Sequence, residues 1–359
     1  MPLTDYVTLG RSGLRVSPFC LGAMTFGEDW GWGSTPAESA AILGRYLGRG
    51  GNFIDTANVY TKGHSEAIIG EAIGSNRARR DRIVIATKFY GNLYPGDPNG
   101  GGASRKSIMS ACEQSLRRLK TDYIDLYWMH AWDHHTPIDE TMRVLDDLVR
   151  GGKVRYIGFS DTPAWKVVEA QMLARQHGAT PVTAIQVPYS LVERTIEGDL
   201  LPMSRELGLG VTPWSPLAGG VLSGKYTRES AKAADRGERV TNNLTERNFA
   251  IVDELVRIAR ELNTNPSAVA LAWVQSRPGV TSTIIGARRI DQLEQNLAAL
   301  DITLQPSHVE ALNKVSVPTL NFPATFLPMA NSFMHSGATV NGEPSQLLPM
   351  MPKTDAERY

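Results

Sequence analysis

Short apolar runs alternate with segments of helical periodicity along most of the chain. The runs are rich in Val, Ile and Leu, which is typical of strands that are buried on both faces. The predicted strands are Phe19–Gly22, Phe53–Asp55, Ile83–Lys88, Tyr123–His130, Val154–Ser160, Ala184–Val187, Leu209–Trp214 and Thr281–Ile285. Between them, apolar residues recur at helical spacing. The predicted helices are Ala37–Arg49, Glu66–Gly74, Ser104–Lys120, Asp139–Arg150, Ala164–His177, Glu197–Leu207, Asn248–Leu262, Pro266–Ser276 and Ile290–Leu300.

This alternation predicts an α/β fold. Strands joined through helices pair in parallel, because a parallel crossover needs about a dozen residues or more. Eight such units close into a (β/α)8 TIM barrel, and the segment from Thr8 to Val16 predicts a β-hairpin that caps one end of it. An open doubly wound sheet is the alternative, but Gly22–Gly27 lacks the Gly-x-Gly-x-x-Gly pattern that usually follows its first strand. The length of 359 residues fits one large domain, and two domains remain possible.

The alternation stops after Val317. We therefore divide the chain into a barrel, residues 1–317, and a C-terminal extension, residues 318–359. Prolines recur in the extension at a density that excludes a regular helix or a central strand. Its phenylalanines and methionines make it too apolar for a simple disordered end. We expect part of it to lie over the barrel mouth or against a neighbouring subunit of a homo-oligomer.

Acidic and basic side chains balance at 37 each. There is therefore no overall field that would favour nucleic acid or an anionic membrane, and small neutral substrates fit better. The first residues lack the basic and apolar regions of a signal peptide, and no apolar run approaches membrane-spanning length. Cys20 and Cys112 lie in apolar or helical contexts, which indicates buried, reduced thiols. We expect a cytoplasmic protein.

Four polar residues stand at or just after the ends of predicted strands: Asp55, Tyr60, Lys88 and His130. The carboxyl ends of the strands of a parallel barrel meet at one face, so these side chains are expected to lie together. A carboxylate keeps a neighbouring lysine charged, and a cation beside a phenol lowers the tyrosine pKa towards neutrality. Tyr60 is therefore the candidate general acid and base, supported by the other three.

Aromatic residues are concentrated in the segments that follow these strands, where they would surround the barrel mouth. Trp30 and Trp32 lie in a glycine-rich loop, where they would pack on a neighbouring loop or on a ligand. Such a mouth suits a bulky or cyclic carbonyl or alcohol. The candidate substrate-binding residues, which include two of the four strand-end residues, are Trp30, Trp32, Tyr60, Phe89, Tyr90, His130 and Trp132.

Several segments of the chain resemble the aldo-keto reductases, barrel enzymes that transfer hydride between a nicotinamide cofactor and a carbonyl. The matching motifs are GNFIDTANVY at Gly51–Tyr60, ATK at Ala86–Lys88, DLYWMH at Asp125–His130, GFS at Gly158–Ser160, QVPYS at Gln186–Ser190 and the segment Gly286–Asn296. The family's catalytic Asp, Tyr, Lys and His fall on Asp55, Tyr60, Lys88 and His130. LGRSGLRVS at Leu9–Ser17 and PWSPLAGG at Pro213–Gly220 are similar to the branch with aryl-alcohol dehydrogenase-like enzymes, aflatoxin aldehyde reductases and potassium-channel beta subunits.

The resemblance implies an NADP(H) cofactor, with NAD(H) not excluded, and residues that bind it. Ser160 and Gln186 would bind the nicotinamide carboxamide, and Trp214 would stack on the ring. Asp161 stands where relatives commonly have Asn, and Gln292 where many have Arg. Ser215 to Lys225 would cradle the pyrophosphate and Arg288 the 2′-phosphate. The full predicted set is Gly22, Met24, Thr25, Asp55, Ser160, Gln186, Trp214, Ser215, Pro216, Leu217, Gly219, Gly220, Lys225, Gly286, Arg288, Gln292, Gln295 and Asn296.

Three other functions are less consistent with the sequence. Gly219 to Lys225 matches the start of a P-loop, but Tyr226 replaces the Ser or Thr that would ligate magnesium, and no strand directly precedes it. His134 and His135 lack further spaced metal ligands, so no metal site is predicted. A cofactor-sensing regulatory subunit of the channel-beta type would keep the same four residues and is the main alternative to an NADP(H)-dependent carbonyl reductase or alcohol dehydrogenase.

Overall fold

The computed structural model describes residues 2–74, 76–228 and 238–358. Within these ranges, eight parallel strands, β3 to β10, form a closed barrel in the order β10-β3-β4-β5-β6-β7-β8-β9. A bridge between Val211 and Val280 joins β9 to the segment before β10. The strands are β1 (Val7–Thr8), β2 (Arg15–Val16), β3 (Phe19–Gly22), β4 (Phe53–Asp55), β5 (Val84–Phe89), β6 (Ile124–Met129), β7 (Val154–Ser160), β8 (Val182–Pro188), β9 (Gly210–Trp214), β10 (Thr283–Gly286), β11 (Thr339–Val340) and β12 (Glu343–Pro344).

Helices surround the barrel, and several of them begin at polar caps, among them Thr35, Ser104 and Thr245. Ser104 accepts a hydrogen bond from the Ser107 N–H and so caps the helix that follows it. The helices are α1 (Pro36–Gly48), α2 (His64–Ile69), α3 (Arg77–Arg80), α4 (Arg105–Leu119), α5 (Ile138–Arg150), α6 (Ala164–His177), α7 (Leu200–Leu207), α8 (Glu238–Thr241), α9 (Glu246–Glu261), α10 (Pro266–Gln275), α11 (Ile290–Leu297), α12 (Pro306–Val315) and α13 (Leu327–His335). The predicted (β/α)8 barrel and its N-terminal hairpin are confirmed.

The barrel separates two apolar clusters. The interior cluster includes Phe53, Ala86 and Trp128 and is closed below by the hairpin residues Leu9 and Val16. A Cβ atom at Gly158 would lie 2.3 Å from the Trp128 ring, so this glycine makes room for the indole inside the barrel. Successive side chains of a strand point to opposite faces. The residues two positions after Phe53 and Ala86, which are Asp55 and Lys88, therefore also point inwards.

One predicted helix changes its winding. The segment predicted as Glu66–Gly74 is an α-helix only to Ile69, and a π-helical turn follows over Gly70–Gly74. A Cβ at Gly74 would lie 2.0 Å from the carbonyl oxygen of Leu119. The two backbones therefore approach more closely than a residue with a side chain at position 74 would allow. This contact between the turn and the end of α4 depends on the tertiary packing.

The C-terminal extension contains a regular helix, so the expectation that its prolines exclude one was wrong. Pro328 lies in the first turn of α13, where the missing N–H has no helical partner to lose. No side chain of α13 is buried. Upstream of this helix, Ala324 and Leu320 lie next to Gly198, which precedes α7. Contact with the barrel mouth or with a second subunit stays a prediction.

Two further observations concern membrane-spanning helices and the cysteines. Across the described ranges, no helix combines the length and the apolar character needed to cross a bilayer. Cys20 and Cys112 are both buried free thiols, as the sequence predicts.

Candidate active site

Lys88 and Asp55 form a buried ion pair at the ends of β5 and β4. The Lys88 Nζ contacts the Asp55 carboxylate and donates to the Thr56 carbonyl oxygen at 2.8 Å. Its third contact is with the Tyr60 hydroxyl at 3.2 Å. Lys88 is completely buried and Asp55 almost so. The structure therefore brings together the carboxylate, cation and phenol that the strand ends predict.

At both Lys88 and Tyr60, burial and the neighbouring charges shift the pKa in opposite directions. Burial disfavours a charged Lys88, but Asp55 and Tyr60 outweigh it, so the pKa of Lys88 lies above its ordinary value. Burial also raises the pKa of Tyr60, and the nearby Lys88 cation does not cancel this effect. The expectation of a Tyr60 pKa lowered towards neutrality was therefore wrong in direction. Tyr60 is a neutral phenol at physiological pH and can donate its proton.

His130 lies directly beyond β6, and its ring faces Tyr60. The two ring centroids are 5.6 Å apart, with an interplanar angle of 79°. Burial, with a contribution from the Lys88 cation, lowers the pKa of His130 to about 3. The imidazole is therefore neutral at physiological pH, and one ring nitrogen can donate a hydrogen bond to a carbonyl oxygen.

The lowered pKa of His130 predicts an effect of acid on stability. Between about pH 6.5 and pH 3 the unfolded chain binds a proton at this residue that the folded protein does not, so stability falls as pH falls through this window. When the pH is lowered from 7 to 4.5, we expect the free energy of unfolding of His130→Gln to fall by about 2–3 kcal/mol less than that of the wild type. Urea unfolding at both pH values measures this difference, and an equal loss in the two proteins would contradict it.

The remaining Asp55 oxygen is hydrogen-bonded to a residue of the predicted nicotinamide site. The Gln186 side-chain amide donates to it at 2.9 Å, so Gln186 supports the ion pair as well as lying where the carboxamide is expected. Ser160, at the end of β7, is buried. Trp214 closes β9 and donates from its indole nitrogen to Asp161 at 3.0 Å. These side chains form one wall of the mouth.

The predicted pyrophosphate cradle follows β9 as a tightly curled backbone. Ser215, Ala218, Gly219 and Gly220 all have positive φ angles. A Cβ at Gly220 would lie 2.5 Å from the Lys225 Nζ, so the ammonium group covers this glycine closely. Pro216 is buried and Leu217 packs against the core, which anchors the curled segment. Small residues beneath a lysine fit a phosphate group.

The segment after β10 is organised by its own side chains. Gln292 accepts a hydrogen bond from the Arg288 N–H at 2.9 Å, and the Asn296 amide donates to the Gly286 carbonyl oxygen at 3.0 Å. Gln295 is exposed. Arg289 is paired with Asp291, whereas the Arg288 guanidinium makes no ion pair within the described ranges. Arg288 is therefore the cation that remains available for a phosphate.

The segment after β3 adjoins the one after β10. Gly22 is buried, and a Cβ there would lie 2.7 Å from the Ile284 side chain. The Thr25 hydroxyl donates to the Ala287 carbonyl oxygen at 2.8 Å. Met24 is exposed. The predicted cofactor residues of the two segments therefore form a continuous surface at the mouth.

The predicted substrate aromatics do not all reach the mouth. Trp30 packs edge-on against Tyr60, with ring centroids 6.4 Å apart, and against Trp32 at 5.5 Å. Phe89 is fully buried and packs on Tyr127, outside the barrel wall. Its assignment to the pocket was wrong, because its neighbour Lys88 points inwards and consecutive strand residues point to opposite sides. Tyr90 and Trp132 are partly buried and pack at the edge of the same outer core.

Thr61 takes part in the site although the sequence does not single it out. Thr61 follows Tyr60 and has a φ of 46°, which is rare for a β-branched residue. Its buried hydroxyl donates to the Phe26 carbonyl oxygen at 2.7 Å and accepts from the Ser65 N–H at 3.0 Å. It thus ties the Tyr60 turn to the loop that carries Trp30. No local pattern predicts this. Trp165 is a further exposed aromatic beyond a strand end, in the first turn of α6.

His134 and His135 pack against each other with ring centroids 3.8 Å apart. Within the described part of the chain, no three His, Cys, Asp or Glu side chains converge as metal ligands would. The group around Lys88 remains the centre of the candidate site.

Comparison with known proteins agrees with this geometry. The profile of the Aldo/keto reductase family matches residues 18–317. An uncharacterized oxidoreductase of Bacillus subtilis is 40% identical over 87% of this chain and 95% of its own length. Norsolorinic acid reductase of Aspergillus flavus and an aryl-alcohol dehydrogenase of Pestalotiopsis microspora are each 36% identical over 88% of this chain and 82% of their own lengths. The chain is therefore an oxidoreductase that belongs to the Aldo/keto reductase family.

Proposed function

We propose that this protein is an NADP(H)-dependent oxidoreductase that interconverts an aldehyde or ketone and the corresponding alcohol by direct hydride transfer. The observation that carries the proposal is the contact of the Tyr60 hydroxyl with Lys88 at 3.2 Å beside the His130 ring. A proton donor, a fixed cation and a neutral hydrogen-bond donor then surround the position where a carbonyl oxygen would bind. This arrangement suits a reaction in which negative charge develops on that oxygen.

The side chains have separate roles in carbonyl reduction. His130 and Tyr60 each donate a hydrogen bond to the carbonyl oxygen and so orient it and polarise the C=O bond. A nicotinamide held by Ser160, Gln186 and Trp214 would supply the hydride to the carbonyl carbon. As charge develops on the oxygen, the Tyr60 hydroxyl transfers its proton to it and the alcohol forms. Lys88 stabilises the phenolate that remains, and Asp55 holds Lys88 in place.

The reverse reaction places a different demand on Tyr60. Alcohol oxidation requires the phenolate to accept the hydroxyl proton, whereas burial raises the pKa of Tyr60. We infer that alcohol oxidation gains from alkaline conditions, whereas carbonyl reduction does not.

The residues of the mouth fit a dinucleotide with a phosphorylated adenosine. Ser160, Gln186 and Trp214 would hold the nicotinamide, and the curled segment Ser215 to Gly220 with Lys225 would hold the pyrophosphate. Arg288 supports NADP(H) over NAD(H), because its guanidinium makes no ion pair in the described ranges and matches the geometry of a phosphate. The hydrogen bond of Gln292 to the backbone of this segment helps to keep Arg288 in position.

The substrate is a bulky or aromatic carbonyl compound or alcohol in this proposal. Trp30 packs against Tyr60, and Trp32 packs against Trp30. The two indoles are 37% and 43% exposed and form an apolar, aromatic surface. Two relatives are named for related chemistry, as an aryl-alcohol dehydrogenase and a norsolorinic acid reductase. Aromatic surfaces of this kind favour flat, unsaturated ligands.

A panel of aldehydes, ketones and alcohols, followed through the absorbance of the reduced nicotinamide, tests the proposal. We expect aromatic aldehydes to be reduced faster than short aliphatic ones, and NADPH to support higher kcat/KM than NADH. Cofactor binding without turnover across the panel would contradict the enzyme assignment and favour the cofactor-sensing alternative.

A further inference from the structure

Trp165 is a large apolar side chain that remains mostly in water. It is the second residue of α6 and is 59% exposed, more than Trp30 or Trp32. It follows β7, the strand that ends in Ser160, so it lies at the same face of the barrel as the candidate site. Exposed aromatics at such a position are candidates for ligand contact.

The Trp165 ring is held in a defined orientation. It packs edge-on against Trp132, with ring centroids 5.4 Å apart and an interplanar angle of 77°. The Lys166 Nζ lies 4.6 Å from the centroid of Trp165 and 5.8 Å from that of Trp132. Glu169 accepts a hydrogen bond from the same nitrogen at 2.6 Å, which restrains the lysine. The two indoles therefore form one ordered surface, which we call the outer aromatic pair.

The outer aromatic pair lies across the mouth from the Trp30 loop. Trp132 follows His130 by two residues, and β6 and β7 are neighbours in the barrel. The strand β3, which precedes Trp30, is four positions away from β7 in the ring of eight and is therefore opposite it. The strand order thus places aromatic surfaces at two opposite sides of the barrel mouth.

We propose that Trp165 is a specificity-determining residue, which with Trp132 forms an outer subsite for carbonyl substrates that carry several fused aromatic rings. This inference rests on the proposed reduction at Tyr60. A one-ring aldehyde occupies the space between Trp30 and His130, whereas a fused-ring system extends to the outer aromatic pair. Its distal rings replace the water on the exposed face of Trp165 and pack against the indole edge or face.

The test compares benzaldehyde with pyrene-1-carboxaldehyde in the wild-type protein and in Trp165→Ala. We expect the ratio of kcat/KM for the larger to the smaller aldehyde to fall about tenfold in the variant, mainly through KM, because distal-ring contacts are lost. Trp165→Phe, which keeps an aromatic ring, should recover most of that ratio. Tyr6→Phe, at an exposed aromatic near the opposite end of the barrel, should leave the ratio unchanged.

The outcomes separate this inference from the proposed function. If the ratio of the two kcat/KM values is the same in the wild type and in Trp165→Ala, the outer subsite is overturned and the reductase assignment is intact. A parallel loss of activity on both aldehydes leaves the ratio unchanged and counts as this outcome. No reduction of either aldehyde by the wild-type protein overturns both.

Discussion

Replacing Tyr60 with Phe is expected to lower kcat for carbonyl reduction by about 10³- to 10⁴-fold while leaving the affinity for NADPH nearly unchanged. The substitution removes the only hydroxyl in contact with Lys88 among the described residues and leaves the ring in place against Trp30 and His130. Steady-state reduction of an aromatic aldehyde measures the loss, and quenching of tryptophan fluorescence measures cofactor binding.

A matched control is Tyr94→Phe, because the Tyr94 hydroxyl also makes a side-chain hydrogen bond, donating to Gln114 at 2.9 Å, but Tyr94 lies exposed on a loop. This variant should keep wild-type kcat. Substantial turnover by Tyr60→Phe would show that another group donates the proton. The pH profile adds a second check, since a raised Tyr60 pKa predicts that reduction stays constant across neutral pH and declines only under strongly alkaline conditions.

The second large effect concerns the buried ion pair. Lys88→Met leaves the Asp55 carboxylate buried with Gln186 as a side-chain partner, and we expect a loss of about 3–5 kcal/mol in the free energy of unfolding. The double variant Asp55→Asn with Lys88→Met removes both charges and should recover most of that stability. Neither variant should reduce carbonyls at a measurable rate, because the phenolate of Tyr60 is no longer stabilised. Urea unfolding and aldehyde reduction measure the two properties separately.

Arg289→Met provides the control for this comparison. Arg289 and Asp291 form an exposed pair, with 59% and 54% of their side chains accessible, and breaking it should cost less than about 1 kcal/mol. Full activity in the double variant would contradict the role of Lys88. Equal stability of Lys88→Met and the double variant would contradict an electrostatic origin of the destabilisation.

Local patterns in the chain were sufficient to predict the barrel and the polar residues at its centre. Strands such as Phe19–Gly22 are continuous apolar runs, and their alternation with helices leaves few possible topologies. The carboxyl ends of parallel strands converge at one face, so Asp55, Lys88 and His130 had to approach one another once the barrel was assumed. The helix α13 was missed because a proline in a first turn does not prevent a helix, whereas one in the interior does.

Other properties of the site depend on the three-dimensional environment. Phe89 is adjacent in sequence to Lys88, but the face that each side chain occupies is decided by the direction of the strand within the barrel. The direction of the Tyr60 pKa shift depends on the balance between burial and a cation, and the sequence reveals only the cation. The left-handed turn at Thr61 is held by hydrogen bonds to Phe26 and Ser65, which come from outside the turn itself.

The sequence by itself determined the fold, the family and the four polar residues at the strand ends, because these follow from periodicity and from motifs of adjacent residues. Only the tertiary structure decided that Tyr60 is a neutral acid, that Gln186 supports Asp55 and that Trp165 and Trp132 form one surface. Burial, the electrostatic field at a side chain and the packing of rings all depend on groups that are far apart in the chain. They are therefore set only in the folded barrel.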